Sequence, residues 1–293
     1  MKELARRILE RVVRFFLLFS VFDRFLVFAA YERKRILRGK IEQRLRRLGL
    51  YGDTVQSGPF EGMVYPEPEV WVSCRFEKVS GFYEFELHQW IERLAGSGKA
   101  FTSVVNIGAA DGYFAVGLGR LFPEARVFAF EAAENRYQSL VRVSEVNGMS
   151  NRLVAGRWCS PEALAALDVG DCPLVVCDVD GFEDVLMDPA LVPWLQEAVI
   201  LLEVHEFLAP DLPGAEKEAF EKQHPFLVRD MGRKIRERFR ISHVIEECLV
   251  GAVPIDRYPV FRNLSMGEIA ALAESDRCCI HPWFLMTPAP TNA

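Results

Sequence analysis

The chain of 293 residues contains seven cysteines and five histidines, yet it has no C-x-x-C pair and no spacing suited to zinc. An odd cysteine count without such pairs excludes a disulfide framework and a structural zinc module. It reads as the reduced thiols of a cytoplasmic protein, mostly core filler. A long uninterrupted apolar run is also missing: residues 12–30 come nearest, but Arg14, Asp23 and Arg24 lie inside them. Each such charge at mid-bilayer costs about 2.5–3.5 kcal/mol, which disfavours a spanning helix. Asp23 and Arg24 likewise break the stretch that a signal peptide needs to be continuous. Basic charge is not in excess either, since the net charge is −6. That figure hides a division: residues 1–50 carry 14 basic against 5 acidic side chains, net +9, which leaves the remainder at 21 against 36, net −15. An acidic body argues against a nucleic-acid partner, because binders of either duplex or single strand present a basic face to phosphates.

What is present is an apolar half, 50% of residues, enough for one large α/β domain with additions. The chain is organised around Val104–Phe114, Val-Val-Asn-Ile-Gly-Ala-Ala-Asp-Gly-Tyr-Phe, followed by Val127–Glu131. A short β-rich run breaks into a turn with Gly108 and Gly112, a helical pattern resumes through Leu121, and a second apolar run ends on Glu131. This is strand, tight turn, helix, strand. Glycines let backbone approach a ligand, a helix N-terminus favours negative charge, and a carboxylate 23 residues after Gly108 is placed to accept ribose hydroxyls.

Two ligands compete for such a cradle, a dinucleotide and S-adenosylmethionine (SAM). The dinucleotide fingerprint G-x-G-x-x-G is absent: Ala110 stands where the middle glycine belongs, and Tyr113-Phe114 where the third would lie. The looser G-x-x-x-G turn preceded by Asn106 suits the aminocarboxypropyl end of SAM. A glycine turn that serves only helix-on-sheet packing is the plainer alternative.

Four motifs in order, Asn106–Phe114, Phe130-Glu131, Cys177–Glu183 (Cys-Asp-Val-Asp-Gly-Phe-Glu) and Leu202–Glu206 (Leu-Glu-Val-His-Glu), resemble the FkbM-like branch of the class I SAM-dependent methyltransferases, with a similarity spanning roughly residues 58–288. Gly58–Pro66 resembles that family's G-P-F-x-G-M-x-Y-P lead-in, Gly81–Glu84 its G-x-Y-E segment, and Arg277 with Trp283 its closing R-x-x-x-x-x-W pattern. The family's usual D-x-E-G stands here as Asp178-Val-Asp180-Gly181. The resemblance implies an α/β Rossmann-like fold, with a seven-stranded, mostly parallel sheet, helices on both faces and the last strand inserted antiparallel beside the sixth.

Three segments follow. Residues 1–50 read as a basic, aromatic helical extension, either lying in an anionic inner membrane surface or packing on the body or a second subunit of a homodimer. Residues 51–98 read as a connecting loop and a cofactor-covering helix opened by Tyr83 and Glu84, and residues 99–293 as the SAM-binding domain. Within it, strands are expected at Arg152–Gly156, Pro173–Asp178, Ala198–Glu206, Ile241–Leu249 and Cys279–Met286. Helices are expected from Glu134 to Asn147-Gly148, over Ala215–Arg240 and over Met266–Ser275.

The expected cofactor set is Asn106, Gly108, Ala109, Ala110, Asp111, Gly112, Tyr113 and Glu131. Glu84 joins it, to bind the SAM ammonium or to cap its own helix, and so does Trp158, to stack on adenine or pack in the core. His205 is the expected general base, its tautomer fixed by Glu203 or Glu206, with Asp178 and Asp180 at the boundary between cofactor and acceptor. Asp178, Asp180 and Glu203 are alternatively a set for Mg²⁺. These readings converge on O-methylation of a sugar, glycan or secondary-metabolite hydroxyl. The rivals are a non-catalytic SAM-binding protein recruited to a membrane, and a nucleotide-dependent oxidoreductase.

Overall fold

A computed structural model describes residues 20–66, 74–205, 230–249, 251–273 and 281–290. The expected helices and strands at Ala215–Arg240 and Cys279–Met286 are thus seen only in part. Glu206, Arg277, Cys278 and Cys279 lie outside the described residues. The chain forms two compact units, Met1–Tyr51 with Val260–Ser275, and Gly52–Pro259 with Asp276–Ala293.

In the first unit, helix α1 (Ser20–Arg47) meets α9 (Met266–Ala273). Arg44 grips Glu268 with both terminal nitrogens, at 2.7 and 3.2 Å, and also donates to the Asn263 carbonyl. That contact holds the Glu268 carboxyl down at about 2. Phe25, Phe28 and Ile36 are exposed on α1. Among the described residues, no helix is long and apolar enough to cross a membrane.

The second unit holds one sheet of seven strands: β1 (Ser103–Ile107), β2 (Arg126–Phe130), β3 (Leu153–Gly156), β4 (Pro173–Cys177), β5 (Val199–Glu203), β6 (His243–Cys248) and β7 (Trp283–Pro288). Their order is β3-β2-β1-β4-β5-β7-β6. The first five strands pair in parallel, and β7 runs antiparallel between β5 and β6, as the resemblance implied. Every residue of β1, β4 and β5 is buried, so both faces of the central sheet are covered, which is why these strands read as continuous apolar runs. β7 begins at Trp283 and extends to Pro288, because its register is set by antiparallel partners on both sides: Glu203 pairs with Trp283 and His243 with Pro288.

The helices of this unit are α2 (Arg75–Ser80), α3 (His88–Gly96), α4 (Tyr113–Leu121), α5 (Glu134–Val146), α6 (Pro161–Ala165), α7 (Glu183–Leu186) and α8 (Met231–Phe239). The helix expected from Tyr83 begins instead as a 3₁₀ turn at Phe85–Leu87 and becomes α-helical at His88. Leu87, Trp90, Ile91 and Leu94 bury the expected face.

The register levels the strand tips. Ile107 pairs with both Phe130 and Cys177, and Cys177 with Leu202, so the residues just beyond β1, β2, β4 and β5 share one edge of the sheet. The strand order reverses between β1 and β4. In open α/β sheets, such a reversal opens a ligand crevice beyond the carboxyl ends of the strands.

Candidate active site

The turn after β1 is built differently from a phosphate cradle. Gly108 and Ala109 donate their amides to the Phe130 carbonyl at 3.0 and 2.8 Å, and Gly112 donates to the Ala109 carbonyl at 2.8 Å. Ala110 donates to Glu131 Oε2 at 2.9 Å. Those four N–H groups are spent inside the protein. Gly108, at φ +76°, is glycine for a chain contact: a Cβ there would stand 1.7 Å from the Asp178 carbonyl oxygen. Gly112, at φ +89°, lies against Leu140. The glycines therefore seal β1 to β4 and α4 to α5, where the sequence alone suggested room for a ligand. Ala110 itself adopts a left-handed conformation, φ +47°, uncommon for a residue with a Cβ.

Glu131 lies at the tip of β2, buried. Its Oε1 accepts from the Ala133 amide at 2.7 Å and its Oε2 from Ala110, which fixes the carboxylate on the edge of the turn. An ionised carboxylate has about four acceptor positions, so two stay open to hydroxyls. Asn106, in β1, sends its amide nitrogen toward the Val176 carbonyl at 3.4 Å, and its Oδ1 is buried with no hydrogen-bond partner among the described residues. Asp111 receives Lys78 Nζ on Oδ2 at 2.6 Å, while its Oδ1 is likewise buried and unpartnered. Lys78, from α2, was missed by sequence reasoning; a lone lysine in a short helix carries no signal.

At the tips of β4 and β5, His205 is the centre of a second cluster. Its Nδ1 meets Glu183 Oε1 at 2.5 Å, and its Nε2 lies 3.5 Å from Asp180 Oδ1, 3.7 Å from Asp178 Oδ1 and 3.8 Å from Glu203 Oε2. Glu183, in place of the expected Glu203 or Glu206, thus fixes the ring, and Glu203 stands on the other side of it. Glu183 is fully buried at the first turn of α7 and also accepts from the Gly181 amide at 3.2 Å. Burial alone would depress the His205 pKa, but the bond to Glu183, then the charges of Glu183, Asp178 and Asp180, outweigh it and raise the value. Burial, then the charge of Asp178, pushes Glu203 up to about 10, so it is protonated at neutral pH and bonds to Asp178. Asp178 is also raised by burial, against the pull of His205.

The remaining expected residues fall as follows. Asp180 is 87% exposed, in a left-handed conformation that tips it outward over the cluster. Ala109 and Tyr113 are buried, Tyr113 edge-on to Phe60, Tyr65 and Tyr83. Glu84 makes no side-chain cap to its helix, and its Oε2 accepts the Trp283 indole N–H at 3.1 Å, tying the helix that precedes β1 to β7. Trp158 is 63% exposed, which removes core packing as its role, and stands edge-on to Phe182 with ring centres 5.4 Å apart. His281 stacks on His205 at 4.6 Å between ring centres.

Asp178, Glu203 and His205 each offer one donor atom, all within 4.8 Å of one another. His205 thus takes the third place in that set, where sequence reasoning put Asp180.

No protein-family model matches the chain, and no curated protein matches it in sequence. Solved structures that resemble it include the O-methyltransferase TomG of Streptomyces achromogenes in complex with SAM, at 15% identity over 86% of this chain and 89% of that one, TM-score 0.39. Precorrin-6y C5,15-methyltransferase of Geobacter metallireducens follows at 16%, over 69% and 88%, TM-score 0.37. Geranyl diphosphate C-methyltransferase of Streptomyces coelicolor, solved with Mg²⁺, geranyl-S-thiolodiphosphate and S-adenosylhomocysteine, stands at 15%, over 85% and 92%, TM-score 0.38.

Proposed function

We propose that this protein is a SAM-dependent methyltransferase that methylates a hydroxyl of a sugar, glycan or related secondary metabolite. One observation carries the reading. The amides of residues 108–110 and 112 are spent internally, while Asn106 Oδ1 and Asp111 Oδ1 lie buried and unpartnered at the same strand tip. Two orphaned acceptors beside a turn whose amides are spent suit an ammonium, and such a turn does not suit a pyrophosphate.

SAM fits these residues: Asn106 and Asp111 would meet its amino-acid end, Glu131 its ribose, and Trp158 with Phe182 its adenine. Gly108, Ala109, Ala110, Gly112 and Tyr113 would shape the wall around it. When bound, SAM supplies an electrophilic methyl group on a sulfonium. The chain supplies alignment and a base. Glu183 holds Nδ1 of His205 as a donor, leaving the Nε2 lone pair toward Asp178 and Asp180. His205 accepts the acceptor hydroxyl's proton at Nε2, and Asp178 and Asp180 stabilise the imidazolium that results. Calorimetry tests the binding half: SAM and S-adenosylhomocysteine give heat, NAD(H) gives none, and silence toward both adenosyl ligands sinks the proposal.

A second reading is favoured by the proximity of Asp178, Glu203 and His205. A divalent cation there would hold the acceptor oxygen and lower its pKa, and Mg²⁺ would favour the oxygens of Asp178, Asp180 and Glu203. Activity that survives exhaustive chelation removes it. A non-catalytic role is separated by turnover, since such a protein binds SAM and methylates no acceptor. Residues 1–50, net +9, are proposed to reach the anionic inner face of a membrane. Flotation with anionic liposomes retains the intact chain and loses one lacking those residues; equal behaviour assigns the segment to protein packing or a homodimer.

A further inference from the structure

One buried contact at the start of α3 serves neither the cofactor turn nor the base. His88, the first residue of that helix, is 3% exposed. Its Nε2 lies 3.1 Å from the Tyr83 carbonyl, which can only accept, so Nε2 carries the proton and Nδ1 takes the Tyr258 hydroxyl at 2.9 Å. Burial holds the His88 pKa down at about 4, which keeps the ring neutral. Tyr258 belongs to residues 251–258, which follow β6 and form neither helix nor strand; it is the one buried side chain among them. Beside it, Arg257 pairs with Glu92, one turn further along α3, so two consecutive residues of this segment lie along one helix. The Tyr258 ring also meets Phe82, at 5.8 Å between ring centres.

What His88 closes is the turn between α2 and α3. Gly81 holds one end of it against Ser57, whose carbonyl oxygen would lie 2.0 Å from a Cβ there, and α3 holds the other. Between them, Tyr83 packs edge-on to Tyr113 at 5.5 Å and tilted to Phe114 at 6.1 Å, at the start of α4. Glu84, left-handed at φ +50°, accepts from the indole of Trp283, the strand partner of Glu203. Since α4 follows β1 and Trp283 starts β7, the turn reaches both flanks of the β4 and β5 tips that bear Asp178 and His205. We propose that residues 82–87 are a lid on the crevice and that residues 251–258 are the strap that latches it, through the hydroxyl of Tyr258 on His88. A strained left-handed residue in the lid and a single buried anchor in the strap both mark elements of low local stability. The latch touches no ligand, so it bears equally on the free and the filled crevice. It sets how fast a ligand passes and leaves affinity alone.

The test is Tyr258→Phe, which keeps the ring and removes the latching hydroxyl. Stopped-flow mixing with S-adenosylhomocysteine reads passage. Association and dissociation both quicken about 5- to 10-fold, the worth of one net hydrogen bond, while Kd stays within about two-fold. Unchanged rates overturn the latch, and so does faster dissociation alone with Kd rising to match, the signature of a lost ligand contact or a damaged fold. Hydrogen exchange of the free protein is the second measurement. Amides of residues 83–88 and 255–258 exchange faster together in the variant, and those of α5 do not; a rise confined to 255–258 parts strap from lid and overturns the proposal. Should the variant not fold, wild type decides: saturating S-adenosylhomocysteine slows exchange in both segments, and protection of 83–88 alone overturns the strap. If S-adenosylhomocysteine gives no calorimetric heat, the donor reading fails by itself, and exchange in the free protein still decides the latch.

Discussion

Gly108→Ala probes the contact that closes the crevice. At φ +76°, an alanine carries strain of about 1 kcal/mol. The greater cost is steric, since the new Cβ would lie 1.7 Å from the Asp178 carbonyl oxygen and 2.8 Å from its carbonyl carbon. Relief requires the tips of β1 and β4 to part by roughly an ångström and a half, toward ordinary van der Waals distance. The bond from the Asp178 amide to the Ile107 carbonyl, 3.0 Å long and at that spot, cannot stretch so far and remain a hydrogen bond. Losing it inside a buried strand pair costs about 1–3 kcal/mol, and the forced shift a similar amount. The sum is roughly 3–7 kcal/mol, or about 6–28 °C in Tm for a domain of this size. Gly148→Ala is the control: its φ is +71°, and a Cβ there meets nothing within 4 Å, so it bears the strain alone and loses about 1 kcal/mol. Both variants are melted side by side by circular dichroism. Equal losses would falsify the claim that Gly108 is there for strand contact.

Three further outcomes follow from the site. Glu183→Gln removes the negative charge that opposes burial while leaving an acceptor for Nδ1, so the His205 pKa falls; imidazole NMR titration reads this, and an unchanged value rejects Glu183 as the group that sets the ring. Stability tied to His205 is present below its unfolded value of about 6.5 and lost as pH rises through the raised folded value, so this variant shows less of that loss. For Glu203, a folded value of about 10 against an unfolded one near 4.5 means that stability present in acid is lost progressively as pH rises between them. Glu203→Gln keeps a donor for Asp178 without titrating, so its Tm exceeds that of wild type at pH 8–9; a Tm below wild type there refutes the assignment. Glu131→Gln turns one acceptor toward the Ala110 or Ala133 amide into a donor, which costs about 1–3 kcal/mol and abolishes the thermal shift given by SAM; a preserved shift means that Glu131 does not hold the ligand.

The parallel strands were readable because each is a short apolar run that a doubly covered sheet requires, and the turn after β1 because glycine at two positions leaves few alternatives. Glu131, Asp178, Glu203 and His205 were locatable for the same reason: each follows directly on a strand, and parallel register brings strand tips to one edge. Sequence alone decided which residues would stand at that edge. What they touch there was decided only by tertiary packing. Glu183 reaches His205 across 22 positions and Lys78 reaches Asp111 across 33, in pairs that follow no local period. The role of Gly108 also changed with packing, from room for a ligand to room for the Asp178 carbonyl, because a missing side chain says that something approaches and leaves its identity to the fold.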